Sequence, residues 1–177
     1  GMTPKAFERV NVEESVGLAR AALDAGVHRF VQISTALIFS PTVEAPIDET
    51  NLWDWNIEGS AYIESRVRAQ IKQRELVQLG LPVVFPCPTI VYGPDHPTHP
   101  NRVTNQIRRI LSTRLDIVVE GGGQRRNLSF VGDVIKGILL AEAHGRIGEA
   151  YILGGVDCTH RNFNQKVLEL AGYEARL

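Results

Sequence analysis

Residues 29–34 read RFVQIS, and the reading of this stretch decides the fold. It is an apolar run that ends in the small polar pair Ser34 and Thr35, the pattern of a strand opening into a loop. Before it, Val12, Val16, Leu18, Ala19, Ala22 and Leu23 keep helical spacing between Asn11 and Ala25, and Gly26 is a natural stop. After it, a loop from Ser40 to Gly59 carries prolines, carboxylates, Trp53 and Trp55. A helix then starts near Ser60, a natural N-cap, and runs to Gly80 with Ile63, Val67 and Ile71 four apart on one side. Residues 81–94, LPVVFPCPTIVYGP, form a second buried-type strand closed by Gly93 and Pro94. Its Pro86 and Pro88 predict that it is irregular there or lies at a sheet edge.

The alternation continues with a helix over Asn101–Thr113, a strand LDIVVE (115–120), a turn at Gly121–Gly123, a helix over Val131–His144, a short strand AYILGG (150–155) and a last helix over Asn162–Ala171. Strands separated by helices of this length imply crossover units and a mainly parallel sheet covered on both faces. Ligands of such sheets bind at the carboxyl ends of the strands. Ser34 and Thr35, Tyr62 and Arg66, and the segment Thr89–Pro94 converge there.

Composition narrows the function classes. The chain has 177 residues, 44% hydrophobic and 22% charged, with a formal net charge of −1, an ordinary globular balance long enough for one sizeable core. Near-neutral charge favours neither nucleic acid nor an anionic membrane surface. No apolar run reaches the roughly 20 residues of a membrane span, so the chain reads as cytoplasmic. Cys87 and Cys158 have no metal-ligand spacing and read as buried, reduced thiols. His96 and His99 stand three apart but are flanked by prolines, which makes a solvated loop and no metal site the reading. His144, at a helix C-terminus, is explained by the helix dipole.

Tyr62 and Arg66 share a helix face. A free phenol ionises near pH 10, too high for an effective base, and a cation held beside it favours the charged form. A second hydroxyl, such as one at the end of the RFVQIS strand, could hold the substrate oxygen. On spacing alone a catalytic pair and an ordinary surface pair both remain open. The Trp53 and Trp55 loop likewise either borders the site or packs on the sheet.

The order of motifs carries a resemblance. An N-V pair near a helix start (Asn11, Val12), a strand ending S-T, an acidic loop, Y-x-x-S-R (62–66), a strand ending V-Y-G-P (91–94) and R-N-L-S-F-V-G-D-V (126–134) together resemble the extended short-chain dehydrogenase/reductase family, the NAD-dependent epimerases and dehydratases. It spans about Asn11 to Gly155. The fold it implies is α/β, a partial Rossmann-like doubly wound parallel sheet with part of the C-terminal substrate region. Residues 2–177 would form one domain, with about 115–177 on the substrate side.

By the resemblance Thr35, Tyr62 and Arg66 take the catalytic places, Arg66 standing where the family has lysine. Ser34, Tyr62, Arg66, Pro88, Thr89 and Val91 would border the cofactor, NAD or NADP. Thr35, Ile90, Gly122 and Arg126 would meet the substrate, a nucleotide sugar or related alcohol, with Gly121–Gly123 and Arg126 near its phosphate. FVGDV (130–134) is similar to the family's HVDDV, and Asp133 matches its second aspartate.

Two departures are visible. A guanidinium keeps the lysine's charge and hydrogen bonds but stays protonated, and Lys72 lies at the wrong helical phase to replace it. The family's G-x-x-G-x-x-G turn, whose following helix holds the pyrophosphate, occurs nowhere in the chain. The chain therefore reads as the middle of such a protein without its N-terminal cofactor segment. Three functions follow: an oxidoreductase of this type, impaired by the missing motif; a non-catalytic dinucleotide-binding relative serving as a sensor or interaction module; or an incomplete product. The strand RFVQIS would also keep an unpaired edge, which predicts a homodimer or higher oligomer.

Overall fold

In the computed structural model, which describes residues 2–39, 47–50, 52, 60–94, 101–114 and 120–173, RFVQIS supplies strand β1 (Phe30–Val31). Its ladder bonds run further: the Phe30, Gln32 and Ser34 N–H groups donate to the Pro82, Val84 and Pro86 carbonyls at 3.0, 3.0 and 2.8 Å. Alternate residues of a strand face opposite neighbours. Val31 and Ile33 therefore present their backbone groups to the side away from this partner.

The first helix begins earlier than its apolar spacing predicts, at α1 (Pro4–Phe7). Thr3 caps it by accepting from Ala6 N at 3.2 Å, with Pro4 in the first turn. A π-helical segment, Glu8–Glu14, leads into α2 (Ser15–Asp24). Ser60 caps α3 (Ala61–Val77) as its position predicts, accepting from Ile63 N.

The chain forms two compact units, Gly1–Pro88 with Ile135–Leu153, and Thr89–Val134 with Gly154–Leu177. In the first, β1, β2 (Val83–Pro88) and β5 (Ala150–Leu153) make a parallel sheet in the order β1-β2-β5, with Phe30 opposite Val83 and Phe85 opposite Ala150. Ala19 and Ala22 of α2 and Val67 and Leu76 of α3 pack with Val83, Phe85 and Cys87 into its core. α5 (Val131–His144) crosses into this unit at Ile135. Its successor Gly145 has to be glycine, because a Cβ there would lie 2.4 Å from the Ala141 carbonyl oxygen and 3.1 Å from Val84 Cγ1.

The proline-bearing strand corrects one expectation. β2 is neither irregular nor an edge; it is central and buried throughout. Phe85 N donates toward β5, to the Glu149 carbonyl, so Pro86 and Pro88, each one residue out of phase with Phe85 and Cys87, turn their nitrogens toward β1. Ser34 N still donates to the Pro86 carbonyl at 2.8 Å, so the contact with β1 persists there and lacks only the bonds that the two proline nitrogens cannot give.

The second unit holds β3 (Ile90–Tyr92), β4 (Arg125–Phe130) and β6 (Val156–Thr159) in the order β3-β4-β6. β3 runs parallel and β6 antiparallel to β4, so the parallel prediction holds for one sheet and half of the other. Helices α4 (Arg102–Thr113), capped by Asn101, and α6 (His160–Leu170), capped by Thr159, complete it. The turn at Glu120–Gly122 has φ of 73° at Gly121 and 69° at Gly122, which glycine alone adopts without strain. Of the strand expected at 115–120, Glu120 belongs instead to the glycine turn, while residues 115–119, the tryptophans Trp53 and Trp55, and His96 and His99 lie outside the described residues. No helix among the described residues is long and apolar enough to cross a membrane.

Candidate active site

Five of the residues singled out by sequence lie in the first unit. Ser34 is buried and donates its N–H to Pro86. Thr35, in extended backbone, caps the short turn Ala36–Ile38 by accepting from Leu37 N at 3.3 Å, and that turn packs against α3. Tyr62 sits in the first turn of α3 with its ring edge-on to Phe7, centroids 5.7 Å apart. Its hydroxyl makes no hydrogen bond to a described residue. Arg66, one turn on, donates through Nη2 to the Ile33 carbonyl at 2.6 Å, while its Nε is buried without a partner. Pro88 closes β2. The geometry thus ties Arg66 to the strand end that carries Ser34 and Thr35.

The remaining five lie in the second unit. Thr89 Oγ1 donates to Asn127 Oδ1 at 2.8 Å and lies 2.7 Å from Ser129 Oγ. Ile90 and Val91 belong to β3, and Gly122 to the glycine turn. Arg126 stacks its guanidinium 4.4 Å from the Phe163 ring centroid and donates to Gln106 Oε1 at 2.8 Å. Its Nε and Nη2 are buried and unpartnered. Partial burial, then the Arg126 and Arg102 charges, hold His160 below the usual imidazole value.

Sequence reasoning missed the polar supports beneath the pair. Asn11 Nδ2 donates to Ser65 Oγ at 2.9 Å, and Ser65, 1% exposed, donates to the Tyr62 carbonyl at 2.8 Å. The signal was present: Asn11 and Ser65 both stand inside the quoted motifs, but nothing in a one-dimensional pattern says that they touch.

Cys87 lies beneath Ser34. Burial pushes its thiol up to about 12, against a hydrogen bond from Ser34 that pulls the other way. A raised folded-state value means that its contribution to stability is complete below the unfolded thiol's 9.0 and is lost as pH rises toward 12. At pH 8 a thiol reagent is expected to label half-buried Cys158 in the native protein and Cys87 only after denaturation. Peptide mass spectrometry reads this directly, and native labelling of Cys87 contradicts the buried placement.

Comparison with known proteins agrees with this frame. The family model described as NAD dependent epimerase/dehydratase matches residues 2–154. A dTDP-D-glucose 4,6-dehydratase from Mus musculus is 29% identical over 167 residues, which are 93% of this chain and 44% of the mouse protein. The chain thus spans about half the length of its curated relatives. The crystal structure of a dTDP-glucose 4,6-dehydratase double mutant, DesIV of Streptomyces venezuelae, with NAD bound, superimposes with a TM-score of 0.81 at 26% identity, covering 97% of this chain and 52% of that one. The crystal structure of gox2253 does so with a TM-score of 0.88 at 28% identity, covering 100% and 53%.

Proposed function

Because this chain belongs to the NAD-dependent epimerase/dehydratase family, we propose that it carries the proton-transfer half of an NAD(P)-dependent oxidoreductase acting on a nucleotide sugar or related alcohol. One observation carries the reading: the Arg66 guanidinium rests on the carbonyl of Ile33, two residues before Thr35, on the helix that bears Tyr62 one turn earlier.

The residues present fit a nicotinamide nucleotide. Arg66 Nε and the Tyr62 hydroxyl, neither with a hydrogen-bond partner among the described residues, suit the hydroxyl groups of a ribose. When bound, that cofactor supplies the hydride acceptor. Tyr62 removes the proton from the substrate hydroxyl and returns it, Thr35 holds the same oxygen, and Arg66 orients the ribose while presenting a fixed positive charge. In the first unit, Ser34 and Pro88 border the cofactor. In the second unit, the two unpartnered guanidinium nitrogens of Arg126 suit a diphosphate.

A second reading, a dinucleotide-binding sensor without turnover, is favoured by the same Arg66, whose Nη2 is already engaged by protein. Calorimetric titration of the chain with NAD and with NADP tests both. Micromolar binding of one nucleotide is expected, and no heat at millimolar nucleotide overturns both for this chain. Given binding, the oxidoreductase reading requires measurable hydride transfer that persists or rises in Arg66→Lys, whereas the sensor reading requires none in either protein.

A further inference from the structure

The carbonyl that Arg66 grips is shared. Gln32 Nε2 donates to the same Ile33 oxygen at 3.2 Å, beside the 2.6 Å bond from Arg66. Behind Gln32, Gln73 Nε2 donates to Gln32 Oε1 at 3.0 Å and to the Ser15 carbonyl at 3.2 Å, and lies 3.4 Å from Ser15 Oγ. The Ser15 hydroxyl donates to the Asn11 carbonyl inside the π-helical segment. Every member of this chain of bonds belongs to one unit.

The amide orientations follow from groups that can only accept. The Ser15 carbonyl requires the NH2 of Gln73. Gln73 then requires the oxygen of Gln32, and that turns the Gln32 NH2 onto Ile33. Reversing either amide would set two acceptors against each other. Gln73 is 1% exposed, so water cannot replace a lost partner at its end of the relay.

We infer that Gln73, acting through Gln32, is a positioning residue for Arg66: it turns the Gln32 amide so that two donors hold the Ile33 carbonyl on which the guanidinium rests. A carbonyl held by one donor alone can swing with the strand end, and the guanidinium would swing with it. The consequence for function rests on the reading of Arg66 as a ribose-binding group; the consequence for the guanidinium itself does not.

The test therefore has two readouts. Gln73→Met keeps the side chain's approximate volume and removes its donors. In nitrogen-edited NMR, the Arg66 Nε–Hε resonance, assigned by its loss in Arg66→Lys, should move toward that of a free arginine in Gln73→Met. The NAD dissociation constant should rise about fivefold, and by less than twofold when the same change is made in an Arg66→Ala background. An unmoved Arg66 resonance in a folded Gln73→Met protein overturns the inference, as does an equal loss of affinity in both backgrounds, which would mark Gln73 as merely structural. If the unaltered chain binds no NAD, the functional reading of Arg66 fails while the resonance still decides whether Gln73 positions it. Should Gln73→Met not fold, Gln32→Met, at a half-buried site, breaks the relay from its other end and is read in the same two ways.

Discussion

Tyr62→Phe is expected to lower turnover by about 10²–10⁴-fold, the usual contribution of a positioned proton-transfer group. The substitution is clean. The ring that meets Phe7 remains, Ser60 still caps the helix, and Ser65 still donates to the backbone carbonyl of residue 62, so only the hydroxyl is removed. Steady-state rates on a nucleotide sugar, measured beside nucleotide titration and thermal unfolding, separate chemistry from folding. NAD affinity should fall by about tenfold at most, the loss of one hydrogen bond to the ribose, and the melting temperature by about 1 °C at most. A loss of turnover smaller than about tenfold would remove Tyr62 from the proton-transfer role.

Gly155→Ala should have a comparably large effect on folding rather than chemistry. A Cβ at Gly155 would lie 2.2 Å from the Leu128 carbonyl oxygen and 2.9 Å from both the Leu128 carbonyl carbon and Ser129 Cα. These are backbone atoms of β4, so no side-chain rotation relieves the clash. Relief requires β6 to move away from β4, which breaks the Leu128↔Val156 register and the 2.7 Å bond from Gly155 N to Asn127 Oδ1. A destabilisation of about 3 kcal/mol or more is expected in urea unfolding, at the upper end for overpacking. Gly123→Ala, where an added Cβ meets nothing within 4 Å, serves as the control and should stay within about 0.5 kcal/mol. Equal unfolding midpoints for the two variants would contradict the close approach at Gly155.

How legible the chain was depended on whether the deciding interaction was local. Ser60 marks a helix start because a cap bonds its own next turn, and α3 begins where that residue predicts. The segment Arg125–Phe130 carries no strand pattern, since four of its six residues are charged or polar; β4 exists because β3 and β6 pair with it on either side. Pro86 and Pro88 misled for the same reason: a proline's effect on a sheet depends on which neighbour its nitrogen faces, and that is settled by pairing.

By itself, the sequence determined the alternation of strands and helices, the motif order that marks the family, and the placing of Tyr62 and Arg66 on one face of one helix, all set by spacing along the chain. Tertiary structure alone decided what lies beneath that pair: Arg66 on the Ile33 carbonyl, 33 residues away, and Gln73 against Gln32, 41 residues away. Helical and strand periods repeat over a few residues, so local patterns encode which face a side chain occupies. Contacts between distant segments depend on how those faces pack, and the burial of Gln73 and Ser65 makes their hydrogen bonds obligatory only once packing has excluded water.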